Sequence, residues 1–283
     1  MKTFLECFPC FMQQALRAGK ISTQDPLLLQ KILVEVGGMF ADIPLQSTPP
    51  QTGRLIYQKI SELTGIADPY AASKQKNMQQ VAELYPHFRQ LVQASADPLR
   101  QAVHLAIAGN VIDLGVNRDF EIQSAVDEIL QQDFAIDDYE LFRQKIAEAE
   151  NILYLGDNSA ETYFDKLLLE VIDKPIIYAV KERPIINDAT RVEAQKAGID
   201  QFAQIISSGS DAPGTILPLC NREFLQKFQE ADLIISKGQG NFEGLSEQAA
   251  PIFFLLRAKC SVIAAELAVP LDSLILKYQS WGE

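Results

Sequence analysis

Two short oxygen-rich turns concentrate the chemistry of this chain. Gly156-Asp157-Asn158 follows the apolar run Ile152-Leu153-Tyr154-Leu155, and Asn187-Asp188-Ala189-Thr190 comes shortly after Ile176-Ile177-Tyr178-Ala179-Val180. Asp157 and Asp188 supply carboxylates and Asn158 a neutral carbonyl oxygen, donors that suit a hard divalent cation. Taken singly, each turn reads as an Asx-turn or a helix cap. Two acidic turns at neighbouring strand ends converge in space, and that convergence favours one shared cation site over two unrelated caps.

Three further segments carry polar groups that a phosphorylated ligand would use. Ser207-Ser208-Gly209-Ser210-Asp211-Ala212-Pro213-Gly214 is rich in small residues, so its amides could crowd an anion, with Ser208 the candidate contact; the competing reading is a surface loop. Ser236-Lys237-Gly238-Gln239-Gly240-Asn241 brings a lysine to a glycine-rich turn, which makes Lys237 a candidate for both phosphate binding and catalysis and Asn241 a candidate substrate contact. The dinucleotide fingerprint that Gly238-Gln239-Gly240 suggests lacks its third glycine at the required spacing. Asn110 and Asp113, three apart in the apolar segment around Gly109-Asn110-Val111-Ile112-Asp113, share a helix face and could line the same site.

The elements that must position these groups fall into two rhythms. Residues 1–150 are helical in pattern, with apolar stripes such as Phe4, Phe8, Phe11, Ala15 and then Ile32, Leu33, Val36, Met39. Pro86 is expected to end or kink a helix near Tyr85, and Asp97-Pro98 reads as an N-cap with a first-turn proline. Helices are expected near 121–132 and 138–149, with almost no strand signal before residue 150. From 151 to 283 short apolar runs at 152–155, 176–180, 202–206, 232–236, 251–256 and 273–276 alternate with amphipathic stretches. The fold class is therefore α/β: a helical N-terminal region (1–150) packed on a Rossmann-like α/β/α sandwich (151–283) with a mostly parallel sheet that carries the metal site.

Bulk properties narrow the classes. A formal charge of −12 argues against nucleic acid as a partner and leaves a small phosphorylated metabolite, which needs only one local cation. No apolar stretch approaches the ~20 residues of a membrane span, and Glu6 interrupts the N-terminal apolar run, so a cytoplasmic address is expected. With only His87 and His104 present, a histidine-rich metal site is excluded on count, and His104 reads as a satisfied core histidine. Cys7 and Cys10 form a CxxC pair that, with Cys220 and Cys260, is read either as packing or as a soft-metal or redox cluster.

Together, Cys7-Phe8-Pro9-Cys10, Gly109-Asn110-Val111-Ile112-Asp113, Gly156-Asp157-Asn158-Ser159-Ala160-Glu161, Asn187-Asp188-Ala189-Thr190, Ser236-Lys237-Gly238-Gln239-Gly240-Asn241-Phe242-Glu243 and Phe254-Leu255-Leu256-Arg257-Ala258-Lys259-Cys260 resemble the metal-dependent damage-control phosphatases, in their CxxC-bearing prokaryotic branch. The chain departs at Ala160, where that family often has glycine. The resemblance implies a divalent metal (Mn, Mg, Co or Ni) on Asp157, Asn158 and Asp188, with Lys237 holding phosphate and Asn110 and Asp113 nearby. It implies hydrolysis of phosphate esters of small metabolites; the nucleophile is then metal-bound water, Asp157 or Asp188, which the sequence does not separate. The alternatives are an S-adenosylmethionine-dependent methyltransferase, disfavoured because only Gly156 stands in the first turn, and a non-catalytic binder of phosphorylated metabolites.

Overall fold

The computed structural model describes residues 1–109 and 119–280. Three helices open the chain: α1 (Cys7–Ser22), α2 (Pro26–Met39) and α3 (Pro49–Thr64). Their starts follow from local chemistry. Asp25 accepts from the Leu27 amide ahead of Pro26, and Thr48 forms a reciprocal box with Gln51 ahead of Pro49. The long α4 (Ala71–Ala94) continues past Pro86, so the helix does not end there, and it is held by Met78, Val81, Phe88 and Val92 on its buried face. Asp97 caps α5 (Pro98–Ala108) through the Arg100 amide, as its sequence suggests. After α6 (Asp119–Leu130) comes β1 (Phe134–Asp137), a strand in a region where helix alone was expected. Asn110 and Asp113 lie outside the described residues.

The α/β part follows as α7 (Tyr139–Glu148), β2 (Ile152–Leu155), α8 (Thr162–Val171), β3 (Ile176–Val180), α9 (Arg191–Ala197), β4 (Gln204–Ser207), α10 (Arg222–Glu230), β5 (Leu233–Lys237), α11 (Gly238–Leu245), β6 (Ile252–Arg257), α12 (Ser261–Glu266) and β7 (Leu274–Gln279). The sheet order is β1-β7-β6-β5-β2-β3-β4, parallel throughout except for the antiparallel β6–β7 pair. β2 and β5 are buried along their whole length, which is why they read as unbroken apolar runs rather than alternating ones.

Apolar clusters cover both faces. One joins α4, α5 and α8 to Ile152, Tyr154, Ile176, Tyr178 and Ile235, and it includes Phe134 of β1 and Phe142 of α7. The core thus runs across residue 150, and the sheet takes an edge strand from before it. The opposite face buries Leu153, Leu155, Ile234 and Phe254 under Phe224, Phe242 and Ile263. A third cluster gathers Phe11, Ile32, Ile56, Tyr57 and Tyr70 against Ile185, just beyond β3, so α1–α3 lean on the carboxyl end of the sheet. Among the described residues no helix is long and apolar enough to cross a membrane.

Candidate functional site

From β2 the chain builds outward to β3 and β4, then returns so that β5 pairs with the other side of β2. The reversal opens a crevice at the carboxyl ends of β2 and β5, the place where open α/β sheets bind ligands. Gly156-Asp157-Asn158 leaves β2 at this point, and Gly238 leaves β5 beside it. Gly156 is required by packing, since a Cβ there would stand 2.6 Å from the Tyr178 hydroxyl.

The loops after β2 and β3 are stitched together by backbone. Ala189 N donates to Asp157 O (2.8 Å), Ser159 N to Asn187 O (2.8 Å), and Asn158 and Asp188 pair as an antiparallel bridge. The two turns therefore meet, as their placement at neighbouring strand ends suggested. The first turn caps no helix, and in the second the cap is Thr190 rather than Asp188. α8 starts one turn later behind Glu161 with no side-chain cap, and α9 is capped by Thr190 in a box with Glu193. Asp157, Asn158 and Asp188 are thereby left for other work.

Asp157 and Asp188 are both buried, 8% and 3% exposed. Burial and the neighbouring Asp188 charge push the Asp157 carboxyl well above its ordinary range, with Lys181 and Lys237 pulling the other way. Burial likewise raises Asp188, against the Lys181 charge. Asp188 Oδ2 accepts no hydrogen bond, and the Lys181 ammonium stands 3.6 Å from it. Two buried, mutually opposed carboxylates with an unsatisfied oxygen are what a cation would relieve. Among the described residues no group of three or more His, Cys, Asp or Glu is placed to hold a metal.

Behind the turns lies an ionic network that includes residues the sequence reading passed over. Lys237 is fully buried, and its ammonium donates to Asp165 Oδ1 (2.6 Å) and Glu161 Oε2 (3.1 Å). Tyr154 and Tyr178 hydroxyls donate to Asp165 at 2.7 and 2.6 Å. Asn158 Nδ2 donates to Glu161 Oε1 and to Asp157 Oδ2 (3.2 Å). Burial raises Glu161 to about 7 against the pull of Lys237. Burial works to lower Lys237, but Asp165 and Glu161 beside it raise it overall. Glu161 and Asp165 were legible only as two acids one helical turn apart on an apolar helix face.

Lys237, read from the sequence as a phosphate partner, thus has its ammonium on two acids within the core. Asn241 is also committed, donating to Lys237 O (2.8 Å) and accepting from Thr215 Oγ1 (2.8 Å). Ser208 accepts from the Ser210 amide (3.3 Å), and the loop amides of Gly209 and Ala212 likewise turn to loop hydroxyls. That loop binds itself rather than presenting a row of free amides. Of the other lysines, Lys181 faces Asp188, and its charge, together with those of Lys237 and Lys259, works to lower Asp157. Beside the loop carrying Asp188 lies a cavity of about 470 Å³ lined by Tyr57, Gln58, Tyr70, Arg183, Ile186 and Asp211. His104 is half-buried rather than a core residue, stacked on Phe134 at 4.1 Å with Nε2 against Gln132 O, so it is satisfied as expected. The four cysteines are free thiols, Cys10 exposed and the others partly buried, and they do not pool into a metal cluster.

Comparison with known proteins follows the same line. Residues 3–275 match the damage-control phosphatase ARMT1-like domain. The chain is 36% identical over 282 residues to Damage-control phosphatase PH1575 of Pyrococcus horikoshii, covering 97% of each. It is 31% identical over 289 residues to a damage-control phosphatase of Archaeoglobus fulgidus, covering 98% of this chain and 99% of that one. The crystal structure of the Pyrococcus protein, described as a DUF89 family protein, matches with a TM-score of 0.93 over 98% of this chain and 99% of that one.

Proposed function

The chain belongs to the ARMT1-like damage-control phosphatase family, and on that premise we propose that it hydrolyses phosphate monoesters of small metabolites with a divalent cation held by Asp157, Asn158 and Asp188. The observation that carries the cation is the meeting of Asp157 and Asp188 across the Asn158–Asp188 bridge, with Asp188 Oδ2 left unsatisfied. When bound, Mn, Mg, Co or Ni would supply charge neutralisation at the phosphoryl oxygens.

The remaining work falls to the chain. Lys181 and Lys259 receive phosphoryl oxygens, a task that local cations perform even in an acidic protein. Their charges also lower Asp157, which burial and Asp188 raise, so the carboxylate can serve at neutral pH. Asp157 then acts either as nucleophile, forming an aspartyl-phosphate, or as the base that takes a proton from attacking water. The organic part of the metabolite lies in the 470 Å³ cavity between α3 and the loop after β3.

The test is phosphate release from p-nitrophenyl phosphate and a panel of phosphorylated metabolites, with chelator or with each divalent ion. Activity is expected only with an ion, and Asp157→Ala and Asp188→Asn should fall to background with unchanged far-UV circular dichroism. Full turnover in chelator, or an active Asp157→Ala protein, overturns the proposal. The stereochemical course at phosphorus separates the two routes: inversion for direct attack by water, retention for two displacements through Asp157.

A further inference from the structure

We propose that Glu161 is a positioning residue that fixes the side-chain amide of Asn158, and that Lys237 is the buried counter-charge holding Glu161 in place. The inference rests on the cation reading above and names how its uncharged ligand is aimed.

One end of the Asn158 amide faces two carboxylate oxygens, Asp157 Oδ2 at 3.2 Å and Glu161 Oε1. That end must be the NH2 group, because an amide oxygen there would confront two acceptors. The carbonyl oxygen is thereby turned to the opposite side, ready for a hard cation before any ion arrives. Asp157 by itself would not suffice, since its charge is drawn to the cation in turn; the second acceptor has to come from a group outside the ligand set.

Glu161 is suited to that role because it is locked at both oxygens. It is 1% exposed, with Oε1 taking the Asn158 amide and Oε2 the Lys237 ammonium at 3.1 Å. Lys237 is held in turn by Asp165 (2.6 Å), and Asp165 by the Tyr154 and Tyr178 hydroxyls. The chain of contacts runs from two core tyrosines on adjacent strands to the amide at the crevice. Both Glu161 oxygens are engaged, so it supports the ligand set from behind.

The experiment measures Mn2+ binding by electron paramagnetic resonance of the free ion, without substrate, in four proteins: the parent, Glu161→Gln, Asn158→Asp and the double variant. Partners that orient a metal ligand typically carry about 10- to 100-fold in affinity, and a loss of that size is expected in Glu161→Gln, with kcat at saturating Mn2+ close to the parent's. In the Asn158→Asp background there is no amide to orient and Glu161 only repels a third carboxylate, so Glu161→Gln should leave binding unchanged or tighten it. Equal weakening in both backgrounds would mean a merely structural role and overturns the proposal, as does unchanged binding in Glu161→Gln itself. A parent protein that binds no Mn2+ sinks the cation reading, and this inference with it. Should Glu161→Gln fail to fold, Glu161→Asp keeps the charge beside Lys237 while withdrawing the oxygen from Asn158, and the same loss of Mn2+ affinity is required of it.

Discussion

The Asp157 carboxylate rests against the Cα of Gly238, whose φ is +78°, and a Cβ there would overlap Asp157 Oδ2. Two independent constraints thus demand glycine at the first residue of α11. Gly238→Ala should cost about 1–3 kcal/mol for the left-handed backbone and displace Asp157 as well, read as a lower urea midpoint together with lost Mn2+ binding. A second expectation concerns protons. Burial pushes Glu161 and Glu243 up to about 7 and raises Asp157 and Asp188 in the same direction. These carboxyls hold protons in the folded protein at pH values where the unfolded chain, with groups near 4, has lost them. The folded state therefore binds more protons, and stability falls as pH rises from about 4 to about 7. Thermal unfolding of cation-free protein should show that decline, and Mn2+ should raise Tm at pH 8 and scarcely at pH 5; a Tm that climbs through this window would contradict it. At this scale the sequence was informative about the two acidic turns and silent about the partners of Lys237. Residue type and spacing mark Asp157, Asn158 and Asp188, but a lysine beside a glycine turn looks the same whether it faces a crevice or a carboxylate pair.

The helix starts decide what the turn residues are for. Thr190 caps α9, with its hydroxyl and backbone N–H both meeting the Glu193 carboxylate, and Lys74 reaches Glu193 at 3.0 Å from α4. Because Thr190 does the capping, Asp188 is released to the crevice. Thr190→Ala should cost about 0.5–2 kcal/mol in denaturant unfolding while kcat at saturating cation changes little. Most elements were legible: the apolar runs became β2 to β7 within two or three residues, and Asp97-Pro98 starts α5 as read. Two were not. Pro86 sits inside α4 because tertiary burial of Val81, Phe88 and Val92 outweighs the lost hydrogen bond, a contest no local rule resolves. β1 has four residues, too few for an alternating pattern to stand out between helices, and it exists through pairing with β7, more than a hundred residues later.

On the scale of the whole molecule, sheet order makes the site. The return of β5 to the free side of β2 places the Asp157 turn, the Gly238 turn and the Asp188 loop around one crevice, and α1–α3, with Tyr70 ahead of α4, pack against Ile185 at its rim. The net charge of −12 fits a protein whose ligand is small and whose cations are few and local. The sequence by itself determined the fold class, the two oxygen-rich turns and the family resemblance, because apolar period, turn chemistry and motif order are properties of neighbouring residues. Only the tertiary structure decided that Lys237 faces Glu161 and Asp165, that Ser208 and Asn241 are spent on internal bonds, and that Lys181 faces Asp188. Those outcomes depend on which strands lie side by side and on how deeply each charge is buried. Such long-range pairings are set by the packing of the entire core.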